Sequence, residues 1–113
     1  MIAIPLKLRK EMSEDPYYYR CAREDGTCKG RITWEHALLY ANKRVQEKFA
    51  IIPICEYHHG LGKYWNKEGF NKEINELIAL SRATEEDFNK YPKAKERWKQ
   101  QLKYLKNKYN KND

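Results

Sequence analysis

Residues 51–59 of the chain read IIPICEYHH, and this stretch decides the fold. It belongs to an apolar run over residues 49–54 that is rich in β-branched side chains and predicts a β-strand. Pro53 places that strand at a sheet edge or near its own end. The second half of the stretch predicts the start of a helix. Cys55 and His58, with two residues between them, have a spacing typical of metal ligands.

All three cysteines and all three histidines of the chain lie between positions 21 and 59. An odd number of cysteines in an intracellular chain indicates thiols or a metal site rather than disulfides. The gap between the first two cysteines contains an Asp-Gly pair, and a turn there would bring both thiols together. We therefore predict a tetrahedral structural Zn²⁺ site whose ligands are Cys21, Cys28, Cys55 and His58. The alternative is three free thiols and a surface histidine.

The segment around the first two cysteines is expected to be a β-hairpin. Residues 17–21 are strand-like in composition, the Asp-Gly pair supplies the turn, and residues 28–36 form a second extended run. Residues 37–48 are polar and predict a loop with a short helical piece. Residues 1–16 predict an arm or a short strand.

The second half of the chain predicts helices. Thr84 precedes three acidic residues and predicts an N-cap, and Pro92 suits the start of a final helix. The apolar face of the first of these helices is expected to consist of Phe70, Ile74, Leu77 and Ile78. The last helix has an apolar stripe, which we expect to pack in the core rather than to stack on bases. Its members are Trp98, Leu102, Leu105 and Tyr109.

The net charge of +7 is confined to the end of the chain. Residues 1–89 carry equal numbers of basic and acidic side chains, whereas residues 90–113 carry nine basic and two acidic ones. This asymmetry predicts attraction to a polyanion, most often nucleic acid; a solvated lysine-rich helix face is the alternative. The lysines expected to contact phosphates there are Lys93, Lys95, Lys99, Lys103, Lys106 and Lys108.

Length and hydropathy exclude several classes of protein. With 113 residues, the chain has room for one small domain. Its mean hydropathy is −1.03, and no stretch approaches the ~20 apolar residues of a membrane span. The first residues lack the apolar run of a secretory signal. We expect a cytoplasmic protein with no membrane partner.

The pair Glu35-His36, followed by residues 51–59, resembles the motif of the HNH endonucleases, or ββα-metal family. The resemblance is to its small zinc-stabilised members of phages and mobile elements, and in motif order to the recombination endonuclease VII type. In these proteins an acidic residue and a histidine end one strand. A second strand leads into a C-x2-C pair, and a catalytic metal ligand follows. His58 would replace the second cysteine, and the specific resemblance covers about residues 20–60.

The resemblance implies roles for three further residues. His36 matches the general base, which takes a proton from water attacking a phosphodiester. Glu35 and His59 match the ligands of one catalytic Mg²⁺ or Mn²⁺, which would stabilise the leaving 3′ oxygen. The implied substrate is DNA, double-stranded or branched. Cutting both strands would need a homodimer or two successive events. The implied origin is bacterial or phage.

Three positions depart from the family pattern. Ala50 stands where the motif has a central asparagine whose backbone carbonyl orients the base, a task that a carbonyl can perform from any residue. Glu35 stands where aspartate is common. Lys63 occupies the position at which some members have another histidine, and we expect it to contact a phosphate.

The expected fold class is α+β: a small zinc-stapled ββα-metal core of HNH, treble-clef-like type with C-terminal helices. The domain is expected to span 1–113, with an N-terminal arm (1–16), the core (17–69) and a helical extension (70–113). Two alternatives to a nuclease stay open. One is a non-catalytic zinc-binding nucleic-acid module on the same fold. The other is a protein-interaction module of a mobile element.

Overall fold

A two-stranded antiparallel ribbon with helices on both faces forms the centre of the fold. A computed structural model of the chain describes residues 4–40, 43–65 and 68–109, with side chains described up to residue 107. Its elements are α1 (Leu6–Ser13), β1 (Ile32–His36), β2 (Leu39–Tyr40), β3 (Lys43–Arg44), β4 (Ile51–Cys55), α2 (Glu56–His59), α3 (Lys72–Arg82), α4 (Glu85–Lys90) and α5 (Pro92–Tyr109). Three 3-10 helices cover Pro16–Tyr19, Lys48–Ala50 and Gly62–Tyr64. The α+β class expected from the sequence is confirmed.

The ribbon pairs β1 with β4, and every residue of β4 is buried. Pro53 lies opposite Trp34, and its carbonyl accepts a hydrogen bond at 2.7 Å from the N–H of Ala22 on the outer edge of the ribbon. The missing N–H of the proline therefore falls on the side away from β1 and removes no bond from the ladder. The edge position predicted for this strand is correct.

Side chains alternate between the two faces of the ribbon. On one face, Ile52 and Ile54 join the core that contains Ala79, Leu80 and Ala94 of the C-terminal helices. On the other face, Ile51 packs with side chains of the N-terminal segment, namely Met12 and Tyr18. Helices α2, α3 and α5 thus lie on one side of the ribbon, and α1 lies on the other.

The strand and hairpin predicted around the first cysteines are wrong. Pro16–Tyr19 form a 3-10 helix, because the Asp15 side chain accepts the Tyr17 N–H and a proline suits the first helical position. The Asp-Gly pair does lie at a bend of the chain, with Gly26 at φ +84°. It joins irregular segments, and β1 begins only at Ile32 and pairs with the distant β4.

The other connections also differ from the expectation. The segment between β1 and β4 contains the small β2–β3 hairpin before its 3-10 helix. The described part of the N-terminal arm contains α1, whose Met12 is fully buried against the ribbon. A helix forms there because the apolar side chains of residues 4, 8 and 12 lie along one side and reach the same core.

The apolar faces predicted for the helices are only partly correct. Phe70 and Ile74 are exposed, and the buried positions of α3 are Asn75, Ala79 and Leu80. In α5 the contact with the core is made by Ala94 and Trp98. Leu102 is 46% exposed, whereas Leu105 is half-buried; Tyr109 lies outside the described side chains.

The two helix starts predicted downstream are confirmed. Thr84 caps α4 in a reciprocal capping box with Asp87, and α5 begins at Pro92. None of the helices in the described parts of the chain is long and apolar enough to cross a membrane.

Candidate functional site

The three cysteines and His58 converge at the junction of β4 and α2. Their ligand atoms all lie within 4.8 Å of one another. His58 Nδ1 is 3.1 Å from the sulfur of Cys55, 3.4 Å from that of Cys21 and 3.8 Å from that of Cys28. A tetrahedral zinc ion about 2.3 Å from sulfur and about 2.0 Å from nitrogen separates those atoms by about 3.5 Å. The cluster therefore fits zinc, as predicted.

The ligands come from three short segments. Cys55 ends β4, His58 follows in α2, and the segment of Cys21 is fixed to the edge of β4 by the Ala22–Pro53 hydrogen bond. The loop of Cys28 is clamped to the start of α2. There the backbone N–H groups of residues 56 and 57 donate to the carbonyls of residues 31 and 29.

The imidazole of His58 is held in the form that binds a metal. Its Nε2 lies 3.0 Å from Thr27 Oγ1 and 3.3 Å from Asp25 Oδ1. Because the Thr27 hydroxyl donates its hydrogen bond to Asp25, its oxygen can accept a hydrogen bond from the Nε2–H of His58. Nδ1 therefore carries the lone pair and faces the three sulfurs. Burial lowers the pKa of His58, which also favours the neutral ring.

The converging thiols shift the pKa values of Cys28 and Cys55 in opposite directions. Burial and the neighbouring Cys21 and Cys55 raise the pKa of Cys28 to about 12. Burial of the Cys55 thiol acts to raise its pKa, but hydrogen bonds from the backbone of His58 and Lys29 and from the other two thiols bring it below the ordinary value. A dication among the sulfurs would favour ionisation of all three thiols, because thiolates are its ligands.

His59, the next residue of α2, is oriented by a threonine on β1. Its Nδ1 lies 2.7 Å from Thr33 Oγ1, and that hydroxyl donates to the carbonyl of Ile54 at 2.8 Å. Having used its proton, the hydroxyl can only accept, so Nδ1 carries the imidazole proton and Nε2 keeps its lone pair. Burial lowers the pKa of His59, and the charge of nearby His36 lowers it further.

His36 ends β1 and is hydrogen-bonded through Nε2, which lies 2.8 Å from Gln46 Oε1. A carboxamide oxygen is an acceptor, so Nε2 is protonated and Nδ1 has the free lone pair. The backbone carbonyl of Ala50, expected to orient this ring, instead accepts the N–H of Ala37 at 2.8 Å.

Glu35 is partly buried on the face of β1 that carries Thr33. Its Oε2 accepts a hydrogen bond at 2.8 Å from Nδ2 of Asn75, which lies on α3. Burial raises the pKa of Glu35 to about 7, although this hydrogen bond acts in the opposite direction. Glu35 and Thr33 are two residues apart on one strand face, about 7 Å along the strand. The His59 ring, held by Thr33, is therefore on the same side of the ribbon as Glu35.

The basic residues predicted to contact phosphates are exposed wherever the structure describes their side chains. Lys63 lies in the 3-10 helix after α2, with its Nζ 5.3 Å from the centre of the Tyr64 ring. Five lysines of α5 are solvent-exposed: Lys93, Lys95, Lys99, Lys103 and Lys106. The side chain of Lys108 lies outside the described residues.

Sequence reasoning missed the residues that orient the candidate ligands and base. Thr33, Gln46 and Asn75 each bond one of them, and each comes from outside the motif. The available signal was weak: Asn75 is a polar residue within an otherwise apolar face of α3, where its burial would demand a partner. Thr33 is polar in a strand whose partner strand is wholly buried.

Comparisons with protein-family models, with characterised proteins and with solved structures give no match to this chain.

Proposed function

We propose that the chain is a divalent-cation-dependent DNA endonuclease of HNH type. The observation that carries the proposal is the junction of β1, β4 and α2. There the end of one strand supplies Glu35 and His36, and the helix that follows the other supplies His59 on the side of Glu35. These are the residues that the family resemblance selects. They are also hydrogen-bonded in forms that suit their proposed roles.

His36 is the general base in this mechanism. Its Nδ1 lone pair takes a proton from a water molecule as the water oxygen attacks phosphorus. Gln46 Oε1, bonded to Nε2, stabilises the imidazolium that forms. The bond from phosphorus to the 3′ oxygen breaks, and that oxygen takes a proton from solvent. The products are a 5′ phosphate and a 3′ hydroxyl.

Glu35 and His59 would hold the cation. A carboxylate and one imidazole leave most coordination positions to water and phosphate, a donor set that suits Mg²⁺ or Mn²⁺. When bound, such an ion polarises a phosphate oxygen and neutralises charge at the leaving oxygen. The protein contributes the Nε2 lone pair of His59, which is left for a ligand because the imidazole proton is on Nδ1, bonded to Thr33. The Cys3His cluster holds the adjoining segments and takes no part in the chemistry.

Cleavage of supercoiled plasmid by the zinc-loaded protein tests the proposal. With Mg²⁺ or Mn²⁺ the wild type should nick the plasmid, and His36→Ala should be about 10²–10⁴-fold slower. Both proteins should have the same zinc content and melting temperature. His36→Gly with added imidazole should recover part of the rate, which a contaminating nuclease would not do. Equal cleavage by the wild type and His36→Ala would refute the role of His36.

One observation favours a second candidate, a zinc-stabilised nucleic-acid-binding module without catalysis. Among the residues that the structure describes, only the Cys3His cluster brings together three or more Cys, His, Asp or Glu ligands. The proposed catalytic cation has two such ligands. Tight, salt-dependent DNA binding by a folded protein that cleaves with none of the cations tested would support this candidate instead.

A further inference from the structure

Asn75 is a polar residue in the buried face of α3. Its side chain is 1% exposed, and Nδ2 donates to Glu35 Oε2. Its Oδ1 is one of two buried side-chain nitrogen or oxygen atoms in the described residues that have no hydrogen-bond partner. Burial of an amide is unfavourable unless both of its ends are bonded. An apolar side chain would suit a position that served packing alone.

The position of Asn75 is rigid. The helix is capped by Asn71, whose side chain accepts the N–H of Ile74, and its next turn is anchored in the core by Ala79 and Leu80. Asn75 is thus a fixed hydrogen-bond donor on α3, and it reaches Glu35, which lies on β1. Such fixed partners commonly orient carboxylates that bind metal ions.

We propose that Asn75 is a positioning residue for the divalent cation held by Glu35, so that α3 belongs to the cation site. The inference rests on the proposed function. Nδ2 restrains one carboxylate oxygen and leaves Oε1 for the cation. The unpartnered Oδ1, in the same amide, can accept a hydrogen bond from a water molecule, and hydrated Mg²⁺ and Mn²⁺ carry several water molecules. One amide would then satisfy both of its ends only when the cation is bound.

Manganese binding to the full-length, zinc-loaded protein without DNA tests the inference. The signal of free Mn²⁺ in electron paramagnetic resonance gives the dissociation constant directly. Asn75→Leu, similar in volume and unable to hydrogen-bond, should bind Mn²⁺ about 10–100-fold more weakly than the wild type. Asn75→Ala should show the same loss of affinity. If the alanine variant does not fold, the leucine variant alone tests the inference. In a Glu35→Gln background, Asn75→Leu should cause no further loss.

Asn71→Ala is the matched control, because it weakens the same helix without removing a partner of Glu35. It should leave the Mn²⁺ affinity unchanged. An equal loss of Mn²⁺ affinity in the Asn71 and Asn75 variants would show that the effect comes from a less stable helix, and it would overturn the inference. If Glu35→Gln weakens binding and Asn75→Leu does not, the inference fails and the proposed function stands. If Glu35→Gln binds Mn²⁺ like the wild type, both fail.

Discussion

The Thr33 hydroxyl has a single proton, and it donates that proton to the carbonyl of Ile54. Its oxygen is then available to His59 only as an acceptor, so one side chain fixes which nitrogen of the imidazole keeps a lone pair. The same logic holds at His58, where Thr27 and Asp25 lie beside Nε2 and leave Nδ1 to the sulfurs. The two neighbouring histidines thus have their lone pairs on opposite nitrogens, Nδ1 in His58 and Nε2 in His59.

Thr33→Val should release His59 from this orientation. Valine keeps the β-branched shape, so β1 should persist, with a loss of about 1 kcal/mol for the missing hydrogen bonds. Without the acceptor, the tautomer with the proton on Nε2 becomes populated. We expect Mn²⁺ affinity to fall about 10-fold.

Nitrogen-15 spectra of the imidazoles give the tautomer directly. His58 in the same sample is the internal control, because its partners are untouched by the substitution. An unchanged His59 tautomer in the valine variant would contradict the role given to Thr33.

Glu35 makes stability depend on pH in a direction opposite to most carboxylates. Burial raises its pKa in the folded protein to about 7, above the ordinary value of 4.5, so the folded state holds this proton more tightly than the unfolded state. Its contribution is therefore full below about pH 4.5 and is lost as the pH rises through about 7. The side chain of the Glu35→Gln variant stays neutral, so this position should cause no loss of stability as the pH rises.

Without added Mg²⁺ or Mn²⁺, Glu35→Gln should be more stable than the wild type at pH 8 by about 3 kcal/mol, and equally stable near pH 4. Urea unfolding at several pH values measures this difference. If Glu35 holds the proposed cation, added Mn²⁺ should stabilise the wild type selectively at pH 8, where the carboxylate is ionised. Parallel pH profiles for the two proteins would contradict the raised pKa.

At the scale of elements, the loop of Cys28 depends on its contact with α2. Gly30 has φ +83°, and a Cβ atom there would lie 2.8 Å from Glu56 Cβ and 2.5 Å from Glu56 Oε1. The same carboxylate oxygen accepts the N–H of Arg31 at 2.8 Å. The loop thus packs with its backbone directly on the helix, a distance that only glycine allows.

Gly30→Ala should cost about 3 kcal/mol of folding free energy, from the left-handed backbone and the steric clash together. Gly26→Ala is the matched control, because Gly26 has φ +84° and open space where its Cβ would lie. That variant should cost about 1 kcal/mol. Chemical unfolding gives the folding free energy of each variant, and competition with a chelator gives its affinity for zinc. Equal losses of stability and zinc affinity in the two variants would show that the contact with α2 is unimportant.

The buried face of α5 is shorter than its apolar stripe in the sequence. Helix α5 has a buried residue at position 94 and a partly buried one at position 98, and then projects from the core with Leu102 and Tyr104 exposed. The predicted stripe had correct helical spacing, but spacing does not determine where the neighbouring helix ends. Beyond Trp98, the described side chains of α5 are exposed except for Gln101 and Leu105, which are half-buried.

For the whole molecule, the ribbon separates two basic surfaces. The lysines of α5 belong to the side that carries α3, and with it the residues Glu35 and His59. Helix α1 lies on the opposite side, where Lys7, Arg9 and Lys10 border an open groove of about 950 Å³ against Trp34. If DNA is cleaved at Glu35 and His59, phosphates beyond the scissile bond should reach α5 rather than α1.

Replacing Lys99, Lys103 and Lys106 with glutamine should therefore weaken DNA binding and its dependence on salt. Each lost phosphate contact lowers the slope of log affinity against log salt by about 0.9, so the triple variant should lose up to about 3. Lys7→Gln with Lys10→Gln is the matched control and should leave the slope unchanged. Fluorescence anisotropy with a labelled duplex gives the slopes. The reverse pattern would assign the α1 surface to DNA.

The sequence by itself determined the class and the ligands. All the cysteines and histidines lie in residues 21–59, and residues 49–54 form an apolar β-branched run. These two patterns were enough to predict the α+β class and all four members of the Cys3His cluster. Metal-ligand residue types and helix-start signals are local properties, so they can be read from neighbouring residues. That is also why Thr84 and Pro92 were assigned correctly.

Only the tertiary structure decided the partners of β1 and the residues around the candidate cation site. Residues 17–21 have the composition of a strand, yet an Asp15 cap and a proline make the start of this segment a 3-10 helix, and β1 pairs with a strand about twenty residues away. Gln46 and Asn75 reach His36 and Glu35 across 10 and 40 residues of sequence. Such contacts depend on how the elements pack, and packing energy is shared among distant residues that no local pattern connects.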